Sequence, residues 1–347
     1  MDENLFIPNK NLLIIGYCHL DDGFLYGAKA LERLNYNIFF FPYLSHIMDN
    51  DEDRDDKILD IIFKNNINIC LWWNNSIKYE NYKKIIINKE VKHYLFNWDP
   101  FLYNYEKYKC NIWKEHIDKK ILCYPLMNHI FSCFEEEINF FKKTIPITYT
   151  PPGFDPEISY FDYDKDYECD VSIVCTNLYN NLSEFPDQST NITRFEIVDK
   201  LYQNRTKLKF HVYGPENFKD IYPECYKGFI RYKDCRKVFS NSKINLSIHP
   251  LVKELNGKHS KEEYFSERVP QIFGCKGLCV TNSHFTDKLR EYEDYIYIDR
   301  NIDWFEKFID IIENNSKYDS VRQSGYEKAM MYYKWDNWAK ILDRVMM

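Results

Sequence analysis

The sequence predicts two α/β domains in tandem, each built on a doubly wound sheet of parallel strands. Short continuous apolar runs, such as residues 11–16, are typical of strands that are buried on both faces. Stretches with helical spacing separate these runs, and strands that alternate with helices indicate a parallel sheet. Residues 150–156, rich in turn formers, interrupt the alternation before a second such pattern begins. A chain of 347 residues is long enough for two domains.

In the first half, apolar runs predict strands at residues 11–16, 37–42, 67–73, 93–96 and 120–124. Helical spacing predicts a helix that ends near Leu34, and further helices at 51–64, 79–88 and 103–116. The segment 130–143 completes this half. Each strand is therefore followed by a helix, as in the repeating unit of a doubly wound sheet.

In the second half, strands are predicted at 170–175, 208–213, 244–249 and 278–281, with a weaker one at 295–298. Helices are predicted at 192–201, 231–240, 266–275 and 286–292, and the tail is predicted as three helices, at 303–313, 318–333 and 335–347. The last helix carries apolar residues at helical spacing and must bury that face against another element.

Composition excludes several classes of protein. A mean hydropathy of -0.55 and the lack of an apolar run near ~20 residues argue against a transmembrane segment. The chain's start lacks the order of a signal peptide, so we expect a cytoplasmic protein. A formal charge of -7 argues against nucleic acid as a partner. The 11 cysteines include no C-x-x-C pair, so we expect reduced thiols and no structural zinc.

Two arginines are candidates for binding a diphosphate. Arg194 lies near the start of a predicted helix after strand 170–175, and Arg268 lies near the start of another after strand 244–249. The carboxyl ends of parallel strands share one edge of a sheet, so we expect both guanidinium groups there. Guanidinium groups bind phosphate oxygens through paired hydrogen bonds. By itself, Arg194 would be interpreted as an exposed helix residue, and the second arginine favours an anion site.

The turns at Tyr213–Gly214 and Ile230–Arg231 are candidates for contacts with a nucleotide base. The first turn follows strand 208–213, and the second precedes helix 231–240, at the same edge of the sheet. Main-chain groups in such turns can bind a base without distinctive side chains. Loops of this kind are also common in α/β domains that bind nothing at this position. His249, at the end of a predicted strand, is a further candidate for contact with the ligand.

Glu263 and Gln271 are candidates for binding ribose hydroxyls, because a carboxylate and an amide oxygen both accept hydrogen bonds. The alternative interpretation is a surface helix in which Glu263 and Glu267 form an i, i+4 pair. Like charges at that spacing disfavour this alternative.

Candidates for a general base follow strands of the first half. His19 and Asp21 come after strand 11–16, and Asp99 comes after strand 93–96. Such a base would remove the proton from an acceptor hydroxyl. Asp162, Asp164 and Asp166 form D-x-D strings, which can hold a metal–nucleotide complex, but no apolar strand precedes them directly. We therefore predict no metal site.

The run from Ser266 to Thr281 resembles a motif of the group 1 glycosyltransferases, most closely of their CgeB-like (spore-coat protein) branch. That branch typically has a serine, R-x-F-E, an apolar stretch, a glycine pair and an apolar strand. Gln271 stands where the branch has glutamate, and Lys276 stands where it has the first glycine. The segments 151–155 and 97–100 are similar to the interdomain motif and the aspartate–proline turn of that family. The resemblance covers residues 145–347 and extends to the first half by architecture only.

The resemblance implies a GT-B fold, with two Rossmann-like domains that face a cleft. Residues 1–150 would form the acceptor domain, with helix 335–347 packing back on it, and 151–334 would form the donor domain. The implied activity is that of a hexosyltransferase, which moves a sugar from a nucleotide-diphosphate donor to a glycan, protein or small molecule. Ser266 would join Arg194, Arg268 and Gln271 at the donor, and neither a metal nor a cofactor is expected.

Two alternatives stay open. Residues 264–268 also resemble the aromatic-x-T-E-K run of the α1,3-fucosyltransferases, which share the GT-B fold. Gln271 in place of glutamate is compatible with a non-catalytic sugar- or nucleotide-binding relic of the fold. The sugar, the acceptor and the stereochemical course are not specified by these residues.

Overall fold

In the computed structural model, each half of the chain forms a parallel sheet. The structure describes residues 10–16, 23–42, 53–73, 85, 90–97, 124–178, 194–249, 265–285, 288–299 and 302–347. These residues divide into two compact units. The first contains the described residues within 1–20, 24–151 and 338–347, and the second contains those within 21–23 and 152–337.

The first unit is built on a sheet with the strand order β2-β1-β3-β4-β5-β6 among its described residues. Its strands are β1 (Asn11–Gly16), β2 (Asn37–Pro42), β3 (Ile69–Trp73), β4 (Lys92–Asn97), β5 (His129–Ser132) and β6 (Ile147–Tyr149). All neighbouring strands are parallel. The helices are α1 (Gly23–Glu32), α2 (Arg54–Lys64) and α3 (Glu135–Phe141), and a 3-10 turn spans Tyr124–Leu126. Every residue of β1 is buried, as expected for a strand covered on both faces.

The second unit has the strand order β12-β11-β10-β7-β8-β9, again parallel throughout. Its strands are β7 (Cys169–Val174), β8 (Phe210–Tyr213), β9 (Tyr226–Gly228), β10 (Ser242–Ser247), β11 (Cys279–Thr281) and β12 (Ile296–Tyr297). Counted from β7, this is the 3-2-1-4-5-6 order of the dinucleotide-binding folds. The order reverses between β7 and β10, and ligands of such sheets bind beyond the carboxyl ends of the strands at that point.

Helices cover both faces of the second sheet. They are α4 (Arg194–Gln203), α5 (Phe218–Ile221), α6 (Cys235–Asn241), α7 (Arg268–Gly274), α8 (Trp304–Glu313) and α9 (Asp319–Tyr332). The core on one face includes Ile197 of α4 and Phe308 of α8. The core on the other face includes Phe239 of α6, Ile272 of α7 and Ala329 of α9. The predicted α/β fold class, with two parallel doubly wound sheets, is confirmed.

The last helix, α10 (Trp335–Met346), begins in the second unit and ends in the first. Within the first unit, the ring of Trp338 lies 5.5 Å from that of Trp73 and 5.3 Å from that of Phe96, measured between centroids. Asp343 Oδ1 accepts hydrogen bonds of 2.8 Å from both Lys10 Nζ and the Tyr36 hydroxyl. Burial and the Asp343 carboxylate raise the pKa of Tyr36, so its hydroxyl keeps its proton. Residues 338–347 are therefore an integral part of the first unit.

Some predicted elements are wrong or incomplete. The predicted helix 286–292 does not form over its described residues, because Glu291 bridges to Tyr295 and Tyr292 has a φ of 61°. Tyr124, predicted as the end of a strand, begins a 3-10 turn. The short strands β6 and β9 were not predicted, since runs of three residues carry too little periodicity. The predicted helix 103–116 lies outside the described residues, as does 79–88 apart from residue 85.

Candidate functional site

The candidate site lies in the second unit, at the carboxyl ends of β7 and β10. Cys175 follows β7, and His249 follows β10 after one intervening residue. The helices α4 and α7 begin after these two strands, so Arg194 and Arg268 stand at the same edge. Because the strand order reverses here, this edge is where the fold provides a crevice for a ligand.

Arg194 connects the two loops that border this point. Its Nε and Nη2 donate hydrogen bonds of 2.9 Å and 2.6 Å to the Ile248 carbonyl, and Nη1 donates to the Asn177 carbonyl. The residue is only 6% exposed. Three N–H groups of Arg194 thus donate to the protein's own backbone. Arg194 therefore holds the two loops in place and also contributes positive charge to this edge. From the sequence, Arg194 was predicted to bind the diphosphate. Its hydrogen bonds to the backbone limit how far the guanidinium can turn toward a ligand.

His249 is buried at the same edge, in the neutral form. Its Nε2 lies 2.9 Å from Ser247 Oγ. Its backbone N–H donates to Asn282 Oδ1, and its carbonyl accepts from Asn282 Nδ2, both at 2.9 Å. Burial, followed by the positive charges of Arg268 and Arg194, lowers the pKa of His249 well below its usual value. The imidazole therefore adds no charge to the site at physiological pH.

Arg268, the first residue of α7, is half-buried, and its charge influences residues of three neighbouring strands. Its positive charge acts on His249 after β10, on Cys175 after β7 and on Cys279 in β11. Burial raises the pKa of both thiols, and the charge of Arg268 opposes that rise. Because its charge acts on residues of β7, β10 and β11, the Arg268 guanidinium lies close to the point where the strand order reverses. It is well placed to attract an anion there.

Gln271 and Ser266, which flank Arg268 in the sequence, carry buried polar side-chain atoms. Gln271 is 3% exposed, and Ser266 is 9% exposed. Neither Gln271 Nε2 nor Ser266 Oγ has a hydrogen-bond partner within the described part of the chain, although both atoms are shielded from solvent. Buried polar atoms of this kind are normally bonded. Two such atoms at the predicted donor edge favour a polar ligand that completes their bonds.

The predicted base-binding turns lie further along the sheet. Gly214 donates its N–H to the Gly228 carbonyl at 3.1 Å, and its own carbonyl accepts from the Tyr226 hydroxyl at 3.2 Å. A Cβ at Gly214 would overlap the Phe218 ring and the Cys175 carbonyl oxygen, so the close approach to α5 requires glycine. These bonds tie Gly214 to β9 and leave little of its backbone for a base.

The side chains of the same turns differ in exposure. Tyr213 is buried, with its hydroxyl 3.4 Å from His211 Nδ1. Ile230 packs against the core on the α6 and α7 face, and Arg231 is exposed. The structure thus places Arg194, His249 and Arg268 at one edge of the sheet, with Ser266 and Gln271 close to Arg268 in the sequence, whereas the bonds of Gly214 tie the turn Tyr213–Gly214 to β9.

Several candidate residues lie outside the described part of the chain. These are the three candidates for a general base and one of the two for ribose: His19, Asp21, Asp99 and Glu263. In the first unit, the structure instead shows a buried carboxylate that sequence reasoning missed. Glu137 Oε2 accepts from Ser132 Oγ at 2.6 Å and from Asn97 Nδ2 at 2.8 Å, at the carboxyl ends of β5 and β4. An acidic helix start gives no local signal of such burial.

Sequence reasoning also missed Tyr232, whose hydroxyl interacts electrostatically with Gln271 and Trp335. Tyr232 directly follows the predicted turn Ile230–Arg231, and Trp335 was assigned only to an apolar helix face. Burial and the Glu267 carboxylate raise the pKa of Tyr232 well above its usual value, whereas the N–H groups of Gln271 and Trp335 act to lower it. The position of Tyr232 directly after a candidate turn is the sequence signal that could have drawn attention to it.

The D-x-D strings serve the protein's own contacts. Asp162 Oδ2 pairs with Arg236 Nε at 2.9 Å, and Asp164 Oδ2 pairs with Lys237 Nζ at 3.3 Å, both on α6. The Asp164 side chain also accepts from the Asp166 N–H at 3.1 Å. No cluster of three or more His, Cys, Asp or Glu suited to a metal occurs within the residues that the structure describes.

Comparison with solved structures decides the fold. Residues 194–343 match a family model described as glycosyl transferase-like. A glycosyltransferase from Rickettsia africae superposes with a TM-score of 0.61 at 10% identity, over 97% of this chain and 98% of that chain. The Anabaena protein HepE, in complex with UDP-glucose, gives 0.63 at 8% identity, over 97% and 99%. The chain has the GT-B fold.

The GT-B fold is not restricted to transferases. The UDP-GlcNAc 2-epimerase from Neisseria meningitidis, bound to UDP-GlcNAc, gives a TM-score of 0.55 at 10% identity, over 97% of this chain and 99% of that chain. At such low identity these likenesses establish the fold alone. No curated protein matches the sequence. In the part of this GT-B chain that the structure describes, no helix combines the length and apolar character needed to cross a membrane.

Proposed function

We propose that this protein is a glycosyltransferase that transfers a sugar from a nucleotide-diphosphate donor to a glycan, protein or small-molecule acceptor. One observation carries the proposal. The charge of Arg268 acts on His249 and Cys175 at the point where the strand order reverses, and two buried polar atoms without a hydrogen-bond partner in the described chain, Gln271 Nε2 and Ser266 Oγ, belong to residues that flank Arg268 in the sequence. The match of residues 194–343 to a glycosyl transferase-like model supports the same assignment.

In this proposal, the second unit holds the donor. Arg268 binds the diphosphate through its guanidinium, and Gln271 bonds a ribose hydroxyl, with Ser266 beside them. Arg194 maintains the loops around the site and adds positive charge. The turns of Tyr213–Gly214 and Ile230–Arg231 border the base, and Glu263 is a second candidate for the ribose and sugar. His249 is a neutral neighbour of the diphosphate.

The proposed reaction breaks the bond between the sugar's anomeric carbon and the terminal phosphate oxygen. A new bond forms between that carbon and the acceptor oxygen, whose proton passes to a base. His19, Asp21 and Asp99 are the candidates for this base in an inverting reaction. Negative charge grows on the departing nucleotide diphosphate, and Arg268 stabilises it in place of a metal ion. We also propose that no resident cofactor takes part.

The proposed location is a reducing compartment such as the cytoplasm. Every described cysteine is buried in the protein interior, where a reduced thiol is the ordinary state, and this supports the proposal.

Nucleotide binding to wild type and Arg268→Ala tests the proposal. Calorimetric titration with UDP, GDP and ADP should show a wild-type preference for one nucleotide. Loss of a charge-assisted hydrogen bond should weaken its binding roughly 10- to 100-fold in Arg268→Ala. Arg268→Lys should recover only part of this loss, because an ammonium group cannot form the guanidinium's paired bonds.

Arg290→Ala is the matched control, because the Arg290 side chain is 73% exposed and pairs only loosely with Glu293, at 4.0 Å. It should bind the nucleotide like wild type. Equal affinities of wild type and Arg268→Ala would remove Arg268 from the site. Failure of every nucleotide to bind the wild type would contradict the proposed donor class as a whole.

A second candidate function is a non-catalytic nucleotide-sugar-binding protein, and Gln271 is the observation that favours it. An amide keeps the hydrogen bonds of a glutamate but not its charge. Incubation of the protein with nucleotide sugars separates the two functions. Release of the nucleoside diphosphate, by transfer or by slow hydrolysis, supports the enzyme. Tight binding without any release supports the binding protein.

A further inference from the structure

A groove lies between α4 and α8, on the face of the second sheet that both helices cover. Ile197 of α4 and Phe308 of α8 belong to the same core. The groove has a volume of about 670 Å³, which falls within the range of ~300–1,000 Å³ that is usual for ligand sites. Its lining combines two aromatic rings, three carboxylates and one ammonium group: Trp304, Phe305, Glu196, Asp303, Glu306 and Lys200.

The groove lies toward the edge of the sheet that carries the candidate donor site. α8 packs on β10, and its last turn lies at the start of that strand, where Lys243 Nζ donates to the Ile312 carbonyl at 3.5 Å. The first turn of α8 therefore lies toward the carboxyl end of β10, which leads to His249. α4 begins at the same edge with Arg194, two residues before Glu196.

The two aromatic rings of the groove are held by packing. Trp304 and Phe305 are partly buried against the core, and both contribute to the lining of the groove. The Trp304 ring lies 5.2 Å from that of Phe308 and 5.9 Å from that of Phe305, both edge to face. Lys200 Nζ lies 5.5 Å from the centre of the Phe305 ring, so this side chain reaches from α4 to α8. Rings fixed in this way offer an apolar surface to a ligand at little cost in side-chain entropy.

The polar groups of the groove favour a neutral ligand. Three carboxylates against one ammonium group leave an excess of negative charge, which repels the phosphates of a nucleotide. Lys200 lies over the Phe305 ring and repels a second cation there. Glu196 and Glu306 are exposed, and their carboxylates accept hydrogen bonds, whereas the ammonium group donates them. A neutral ligand with many hydroxyl groups both donates and accepts, so it suits both kinds of partner.

We propose that this groove binds a neutral oligosaccharide, and that this oligosaccharide is the acceptor of the sugar. A sugar ring has an apolar C–H face that suits Trp304 and Phe305, and its hydroxyls suit the carboxylates and Lys200. The volume is that of a site for a ligand the size of a drug, such as a trisaccharide. The role as acceptor rests on the proposed function and narrows its acceptor to a glycan, whereas binding of the oligosaccharide can be tested by itself.

Titrations with defined trisaccharides, followed by saturation-transfer NMR and calorimetry, test this inference. The neutral sugars are maltotriose, cellotriose, mannotriose and tri-N-acetylchitotriose. Trigalacturonate is the acidic sugar, and trilysine is the cation. Wild type should bind a neutral trisaccharide and should bind trigalacturonate more weakly, because the carboxylates of the groove repel it.

Two variants locate the binding in the groove. Trp304→Leu should weaken binding of the neutral trisaccharide roughly 10-fold, through loss of the ring face. Glu196→Ala should weaken it roughly 3- to 10-fold, through loss of one hydrogen-bond acceptor. Thermal unfolding shows whether each variant is folded. Because Glu196 is exposed, Glu196→Ala keeps the test decisive even if Trp304→Leu does not fold.

Phe63→Leu and Glu293→Ala are the matched controls, because they remove an aromatic ring and a carboxylate outside the groove. Phe63 is 66% exposed, and the Glu293 side chain is 63% exposed. Both variants should bind the trisaccharide like wild type. The acceptor role has its own measurement. The bound trisaccharide should accelerate release of the nucleoside diphosphate from a nucleotide sugar, and Glu196→Ala should require more trisaccharide for the same rate without any change in nucleotide affinity.

The outcomes separate this inference from the proposed function. If no neutral trisaccharide binds wild type, or if both groove variants bind it like wild type, the inference is wrong and the donor site stands. Binding of trilysine instead of the sugars, weakened in Glu196→Ala, would also overturn it and assign the groove to a basic peptide. A bound trisaccharide that does not accelerate release would rule out the acceptor role. If a trisaccharide binds but no nucleotide does, the proposed function fails and sugar binding alone stands.

Discussion

Replacement of Arg194 by methionine should destabilise the second unit even when no ligand is present. Methionine keeps much of the apolar stem but removes the three N–H groups that bond the Ile248 and Asn177 carbonyls. The Ile248 carbonyl then loses both of its side-chain donors within a fully buried residue. Asn177 is exposed, so water can replace the bond to its carbonyl. The main cost is therefore one buried acceptor with charge-assisted bonds, about 2–3 kcal/mol.

Differential scanning calorimetry of the ligand-free protein measures this cost. For a unit of ~190 residues, each kcal/mol shifts Tm by roughly 2–4 °C, so a decrease of about 4–12 °C is expected. Arg194→Lys should recover part of the shift, because an ammonium group can bond one of the two carbonyls at a time. Arg290→Met is the matched control, since that side chain is 73% exposed, and its Tm should stay close to wild type.

The result that would refute this reasoning is a ligand-free Tm of Arg194→Met equal to that of Arg290→Met. Such a result would mean that Arg194 does not hold the two loops. The guanidinium would then be available to the diphosphate, and Arg194→Met would weaken nucleotide binding without any effect on stability. The calorimetric comparison therefore distinguishes the bonds seen in the structure from the role that the sequence suggested.

Two further predictions concern pH and metals. Burial lowers the pKa of His93 and His211 to about 4 in the folded protein, whereas each has a pKa of about 6.5 when unfolded. Between these two pH values the unfolded state therefore binds more protons than the folded state. The free energy of unfolding should therefore fall by about 2 kcal/mol per histidine from pH 7 to pH 5. Urea unfolding of His93→Gln should show a shallower dependence of this free energy on pH. Identical pH dependences of wild type and His93→Gln would count against a neutral, buried His93. Excess chelator should leave sugar transfer unchanged because Arg268 stabilises the leaving group. Loss of activity that manganese restores would instead implicate a metal and reopen the role of Asp162 and Asp164.

Much of the fold was accessible from local pattern. Strands β1 and β3 are continuous apolar runs because both of their faces are covered, and such a run can be recognised from consecutive residues. The helices at the end of the chain were predicted to within a few residues because an apolar stripe repeats along each of them. The alternation of strand and helix then implied a parallel sheet.

The short elements were not accessible in the same way. Strand β9 consists of Tyr226–Gly228, and it is a strand only because β8 lies beside it. The predicted helix 286–292 had helical composition, but the bridge between Glu291 and Tyr295 imposes a turn instead. In each case a partner elsewhere in the fold outweighed the local preference of a few residues.

The sequence by itself determined which residues could reach the donor edge, because Arg194 and Arg268 follow strands of the same sheet and the carboxyl ends of parallel strands share an edge. Only the tertiary structure decided what each side chain does there. Arg194 bonds backbone carbonyls of two loops, and Glu137 accepts hydrogen bonds from Ser132 and Asn97 at the ends of two strands. Strand and helix formation depends on burial patterns that repeat within a few residues. The partner of a buried polar atom depends on which segments the completed fold brings together, and spacing along the chain does not encode it.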